Sequence, residues 1–222
     1  MMQFLFSSIG KKIQVAISGI FLCIFLVFHL LNNITLFFGP AVFNAMVHFL
    51  ESIKPMIRIM EFGLLFILIM HIGNAIKLTI ENKAANPVNY KQSQSNDVSS
   101  LNSRTMLISG TIILLFIILH LSYIWLSYQT HNPNNHSETY YDILLRNKIG
   151  FLGHKWTALF YVIAISIIAF HLRHGFQSAL KTLGFLPNSK NNFLYKIAFI
   201  FWGIIPFGFI VIVLSIQFGI IN

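Results

Sequence analysis

The chain has 222 residues, 56% of them hydrophobic and only 9% charged, with 23 Phe and a formal net charge of +9. A soluble domain carries about 25% charged residues, so this composition excludes an ordinary soluble enzyme and describes an integral membrane protein. The 15 Lys and Arg flank apolar runs and form no single patch, which excludes nucleic acid as a partner. The lone Cys23 excludes an internal disulfide framework, a Cys-rich zinc or iron–sulfur site and haem attachment through C-x-x-C-H.

A bilayer core about 30 Å thick is crossed by about 20 mostly apolar residues in a helix. In chain order, the runs 13–38, 56–80, 105–128, 156–180 and 194–219 meet that requirement. They predict an all-α membrane protein, with five transmembrane helices in one domain covering residues 1–222. The first run follows Lys11 and Lys12 but is too long for a signal peptide and has no small-residue cleavage site. Residues 41–50 read as an interfacial amphipathic helix between the first two spans. The connections 39–55, 81–104, 129–155 and 181–193 are too short to fold a soluble catalytic domain, so any chemistry lies in or near the membrane. The string KQSQSNDVSS reads as a solvated loop, and no internal repeat is evident.

Charge gives the expected orientation. With the N-terminus inside, the inner side collects Lys11, Lys12, Lys77, Lys83, Lys91, Arg104, Arg173, Lys181, Lys190 and Lys196. The outer side keeps Lys54, Arg58, Arg146, Lys148 and Lys155. This asymmetry satisfies the positive-inside rule, with a cytoplasmic N-terminus and the C-terminus outside.

Ionisable groups inside a span are costly and functional by default. Four of the five spans hold one histidine in apolar surroundings: His29, His71, His120 and His171. At about 1.5 Å rise per residue, His29 and His120 share a level some 5 Å outside the midplane. His71 and His171 share one some 5 Å inside it. Zinc asks for three or four ligands, and no Cys or acidic residue stands beside these histidines. A proton relay includes carboxylates, and Glu61, at the outer end of the second span, reads as the one carboxylate near a span. Two imidazoles from opposite sides suit the iron of haem b. The expectation is two stacked bis-histidine haems b, carrying electrons across the membrane.

Several strings are similar to those of a known family. Ser18-Gly19 is followed ten residues later by His29. Phe43-Asn44, then His48-Phe49 and Pro55, mark the first outer loop. Asn86-Pro87-Val88-Asn89-Tyr90 lies in the first inner loop, and Gly175 follows His171 by four residues. With the four histidines at intervals of 42, 49 and 51 residues, the whole chain resembles the cytochrome b anchor subunit of succinate dehydrogenases and fumarate reductases, in the branch with five helices, two haems and one anchor polypeptide. The resemblance implies that His71 and His171 hold the proximal haem, and His29 and His120 the distal one. It also implies a flavoprotein subunit with FAD, an iron–sulfur subunit, menaquinone as the quinone acceptor, and a bacterial cytoplasmic membrane. The anchor alone would not oxidise succinate. The fourth span carries no Asp or Glu, which argues against a carboxylate proton path through that helix.

Other polar residues have two readings each. Arg173, His174, Lys77, Lys181, Gln14 and Ser18 are candidate inner partners for haem propionates, and the lysines are equally membrane-interface anchors. Arg173 and His174 cannot both face one haem from one helix. Arg58, His154 and Lys155 are the outer candidates. His48 binds a propionate or a quinone, or is a surface histidine. Glu51 and Glu61 either exchange protons or pair with Lys54 and Arg58. Trp125, Tyr123, Tyr128 and Trp156 read as an aromatic belt. Two other functions fit the same residues: the cytochrome b subunit of a hydrogenase or formate dehydrogenase, and a haem-free transporter with histidine-lined cavities.

Overall fold

The computed structural model describes residues 2–85, 98–131, 138–185 and 193–222. The inner-loop string 86–90, residues 91–97, His136 and Lys190 lie outside the described residues. Among the described residues there is no strand, and five helices are long and apolar enough to cross a membrane. They are Ser8–Phe38, Lys54–Ala84, Thr105–Thr130, Lys155–Thr182 and Phe193–Gln217, called here spans 1 to 5.

Span 1 begins earlier than its apolar run because Ser7 caps it. The Gly10 N–H donates to Ser7 Oγ at 3.0 Å, satisfying one of the orphan donors of a helix start. Lys11 and Lys12 therefore sit inside the helix, not ahead of it. The span ends in a tight turn at Thr35–Phe38, and Gly39 then takes φ +84°, a left-handed value that favours glycine. Pro40, whose ring presets a helical φ, opens the next helix, Pro40–Ser52. This is the expected interfacial helix with one or two more residues at each end.

Two further spans depart from regular α-helix. Directly after His120, span 3 widens into a π-helical turn at Leu121–Trp125. Span 5 does the same at Ile200–Ile204, just before Pro206. A proline lacks the N–H that would bond four residues back, so the ladder must readjust there.

Spans 1 to 4 form a ring. Span 1 packs along spans 2 and 4, span 3 packs along span 4, and spans 2 and 3 touch only briefly. Spans 1 and 3 therefore face each other diagonally, as do spans 2 and 4. Span 5 lies outside the ring against spans 4 and 1. Around the ring Phe62, Phe66 and Ile69 of span 2 are exposed, as a lipid-facing surface would be, since apolar side chains gain nothing by leaving lipid.

One end of the ring, marked by Arg58, is closed by Pro40–Ser52 and the short helix Tyr140–Leu145. Leu36, Phe43, Tyr140, Tyr141 and Ile143 are buried between them. The Tyr141 N–H donates to Asn44 Oδ1 at 3.0 Å, and Thr139 and Asp142 form a capping box at the start of the second helix. The other end is marked by Lys11, with a smaller core of Cys23, Phe176, Leu180 and Ala198.

Candidate functional site

Two of the four span histidines meet across one diagonal of the ring, and the other two lie across the second diagonal within electrostatic range. His29 of span 1 and His120 of span 3 have ring centroids 5.8 Å apart, with planes at 87°. His71 of span 2 and His171 of span 4 are close enough to interact electrostatically. These are the two pairs that depth along the helices selects.

Each hairpin of spans builds its half by the same local device. In span 1 the segment reads Ile17-Ser18-Gly19, then Phe25 and His29; in span 3 it reads Ile108-Ser109-Gly110, then Phe116 and His120. The spacings are identical. Phe25 stacks on His29 at 5.3 Å, and Phe116 stacks on His120 at 5.7 Å, one helical turn apart in each case. The serines face the other helix of their own hairpin. Ser18 Oγ lies 3.0 Å from Nδ1 of His71, and Ser109 Oγ lies 3.0 Å from Nδ1 of His171. The neighbouring glycines admit these rings: a Cβ on Gly19 would meet His71 Cε1 at 3.3 Å, and one on Gly110 would meet His171 Cε1 at 3.6 Å.

The pair His29/His120 is held differently. Nδ1 of His120 is 3.1 Å from the Tyr161 hydroxyl of span 4. His29 is enclosed by Phe25, Phe209 and His120, and among the described residues no polar side chain bonds its ring. Asn33 instead donates to the His29 carbonyl at 2.7 Å.

The donor set admits few metals. Among the described residues no three His, Cys, Asp or Glu side chains gather as a metal site, so a tetrahedral site is not built from these groups. One pair of imidazoles, His29 and His120, is in ring contact, and His71 and His171 lie within electrostatic range of each other. In three of the four histidines Nδ1 faces a hydroxyl, which leaves Nε2 free, as it is when an outer partner orients a metal-binding imidazole. Imidazoles from two helices with no third ligand are the donor set that a bis-histidine haem iron takes.

The other expected residues divide. Arg173 does not face the histidines: its guanidinium lies 5.3 Å over the Trp202 ring of span 5, because two residues along a helix is more than half a turn from His171. His174, three residues along, lies within electrostatic range of His171. Lys77 and Lys181 are exposed. His48 is half-exposed, 3.5 Å from Glu51 Oε2, with its ring against Tyr140. Arg58 belongs to a separate group, donating to Glu61 Oε2 at 2.5 Å and to Gln129. Trp125, carried by the π-helical turn of span 3, completes that group through its bond to Glu61. His154 lies 3.3 Å from Thr157 Oγ1, and Lys155 lies over the Trp156 ring.

Sequence reasoning missed Ser109, Tyr161 and Glu81. Glu61 is not the one carboxylate near a span. Glu81, within the helix of span 2, pairs with Lys11, which is buried at 4% exposure. Between this pair and Ser18–His71 lies a bond from Asn74 Nδ2 to Gln14 Oε1 at 3.1 Å. Polar contacts thus line the seam of spans 1 and 2 from its end to the first imidazole. Ser109 had a signal in the sequence, the repeated Ile-Ser-Gly…Phe…His segment.

No family model, curated protein or solved structure matches the chain.

Proposed function

We propose that this chain is the di-haem cytochrome b anchor of a succinate:quinone oxidoreductase, crossing a bacterial cytoplasmic membrane with its N-terminus inside. The observation that carries the reading is the pairing of four span histidines across the two diagonals of the ring, with hydroxyls at three of the four Nδ1 atoms. Haem b bound at each pair would supply one-electron transfer, and two such centres at different depths would connect the faces of the membrane. His71 and His171 ligate on the inner side, His29 and His120 on the outer. Ser18 and Ser109 orient the inner imidazoles, and Tyr161 orients His120. Phe25, Phe116 and Phe209 pack around the outer pair and keep water from it.

The basic end of the bundle, with Lys12, Lys77, Lys181 and Lys196 exposed, is the docking face for the iron–sulfur and flavoprotein subunits. The quinone is reduced near the outer pair, where Arg58, Glu61, Trp125 and Gln129 form a polar group. Its protons are taken up on that side. Menaquinone is a poor oxidant for succinate, so inward-to-outward electron flow draws on the membrane potential, about 2.3 kcal/mol per charge per 100 mV.

The test is a pyridine haemochrome assay on the purified chain, expected to give two haems b per polypeptide. A haem-free protein that folds and inserts would end the proposal. Succinate:menaquinone activity in sealed vesicles is expected to fall when an uncoupler collapses the potential. Unchanged activity would remove the outer quinone site.

A further inference from the structure

The two histidine pairs are built from a duplicated segment, yet their second partners differ. On the inner pair both Nδ1 atoms face a serine. Ser18 has one hydroxyl hydrogen and a carbonyl to receive it: Ser18 Oγ donates to Gln14 O at 2.6 Å. The lone pairs of Ser18 then remain for Nδ1–H of His71 at 3.0 Å, a ring that also hydrogen-bonds the Val15 backbone. Ser109 repeats this, donating to Met106 O at 3.1 Å and facing Nδ1 of His171 at 3.0 Å. Each serine thereby fixes a tautomer, with the proton on Nδ1 and the Nε2 lone pair free. Among the described residues the outer pair has a single phenol, Tyr161, on His120 and no polar side chain on the His29 ring.

We propose that Ser18 and Ser109 are positioning residues that act through His71 and His171 to set the reduction potential of the inner haem independently of the outer one. This deepens the proposed function and rests on it. An acceptor on Nδ1–H makes the imidazole a stronger donor to its metal. A stronger donor favours the more positive, oxidised iron, so each serine lowers the inner potential from what it would be without one. Gly19 serves the same end, because a side chain there would press on the edge of the His71 imidazole that the adjacent serine orients, whereas Gly110 only brings its backbone into ordinary contact with His171. The serine is thus a saddle for one ring, used twice on the same cofactor. Duplication with different outer partners lets one fold hold two chemically similar centres at separate potentials.

The experiment is an optical and electron paramagnetic redox titration of the complete complex carrying Ser18→Ala, Ser109→Ala or both. His29→Ala protein, which keeps the inner pair alone, assigns the inner signal. The expected result is an upward shift of the inner midpoint potential with each alanine, larger in the double variant, with the outer potential unmoved and a changed inner low-spin signal. Retention of the inner haem is expected to weaken by about 10- to 100-fold, the usual cost of losing an outer-shell partner. Ser18→Thr and Ser109→Thr, which restore the hydroxyl, should return the potential and retention toward the parent. Two haems with both potentials unchanged in the alanine variants would overturn the inference and leave the di-haem reading standing. An equal shift of both centres would overturn it too, since that is general loosening of the bundle. Absence of haem from the parent complex would instead remove the reading beneath it.

Discussion

Trp125 Nε1 donates to Glu61 Oε1 across 3.0 Å, joining span 3 to span 2 where the ring is otherwise loosest. The same carboxylate accepts from Arg58 through Oε2, so both of its oxygens are occupied by donors. The two bonds fix the carboxylate in place between spans 2 and 3. For Glu61→Gln, quinone-linked succinate oxidation is expected to fall about 10²-fold, the scale of a lost general acid. Succinate oxidation with a soluble dye, which the partner subunits perform, should be unaffected. A parallel fall in haem content would show that Glu61 only joins the helices.

The histidine pairing has a stoichiometric signature. Alanine at either His29 or His120 should halve the haem content and leave the inner signal intact. Alanine at His71 or His171 should halve it and leave the outer signal intact. The check is haemochrome stoichiometry with low-temperature absorption on each variant. Loss of the same signal from His29→Ala and His71→Ala would reverse the diagonal assignment.

Lys11 and Glu81 make an ion pair in which the lysine side chain is 5% exposed and the glutamate side chain 37%, with Glu81 Oε2 itself buried and unpartnered among the described residues. Removing one partner of a buried pair costs about 3–5 kcal/mol, whereas apolar replacement of both is often neutral. Lys11→Met leaves that carboxylate without its cation and should cost within that range, read as a lowered midpoint of thermal unfolding in detergent. Lys11→Met with Glu81→Leu should recover most of the loss.

The loop at the Arg58 end contains a pH-sensitive clasp. Arg146 donates to Glu138 through Nε at 2.6 Å and again through Nη2. That hydrogen bonding, helped by the guanidinium charge, holds the Glu138 carboxyl below its usual range. A carboxylate with a lowered folded pKa stabilises fully above its unfolded value of about 4.3 and loses the contribution as pH falls through the folded one. The protection of residues 139–152 against hydrogen exchange, taken relative to the intrinsic rate at each pH, should therefore be high at pH 6 and fall below about pH 4.3. Glu138→Gln should exchange faster at pH 6 and lose most of that dependence.

The helices were readable because a bilayer imposes a length on apolar runs, and the five spans lie within a few residues of the expected limits. Their ends were harder. Ser7 extends span 1 backward by a cap that hydropathy does not register, drawing Lys11 into the bundle, where its partner Glu81 had looked like part of a polar loop. Histidine depth came from rise per residue alone. What Arg173 touches did not, since facing His171 or facing Trp202 is decided by how span 5 packs. The duplication stayed hidden because its matched residues are few, Ile, Ser, Gly, Phe and His, among interchangeable apolar ones. Only the two equal serine–histidine contacts give those five positions their meaning.

Spans 1 and 3 carry the same Ile-Ser-Gly…Phe…His spacing and run in the same direction, so an axis relating them would lie along the membrane normal. Such an axis exchanges spans 1 and 3 and spans 2 and 4, and under it the contact of spans 1 and 4 should equal that of spans 2 and 3. It does not: the first is extensive and the second slight. Span 5, which has no counterpart in that relation, lies over the tight side. The ring therefore has a closed flank and an open one, a polarity that two identical halves could not possess.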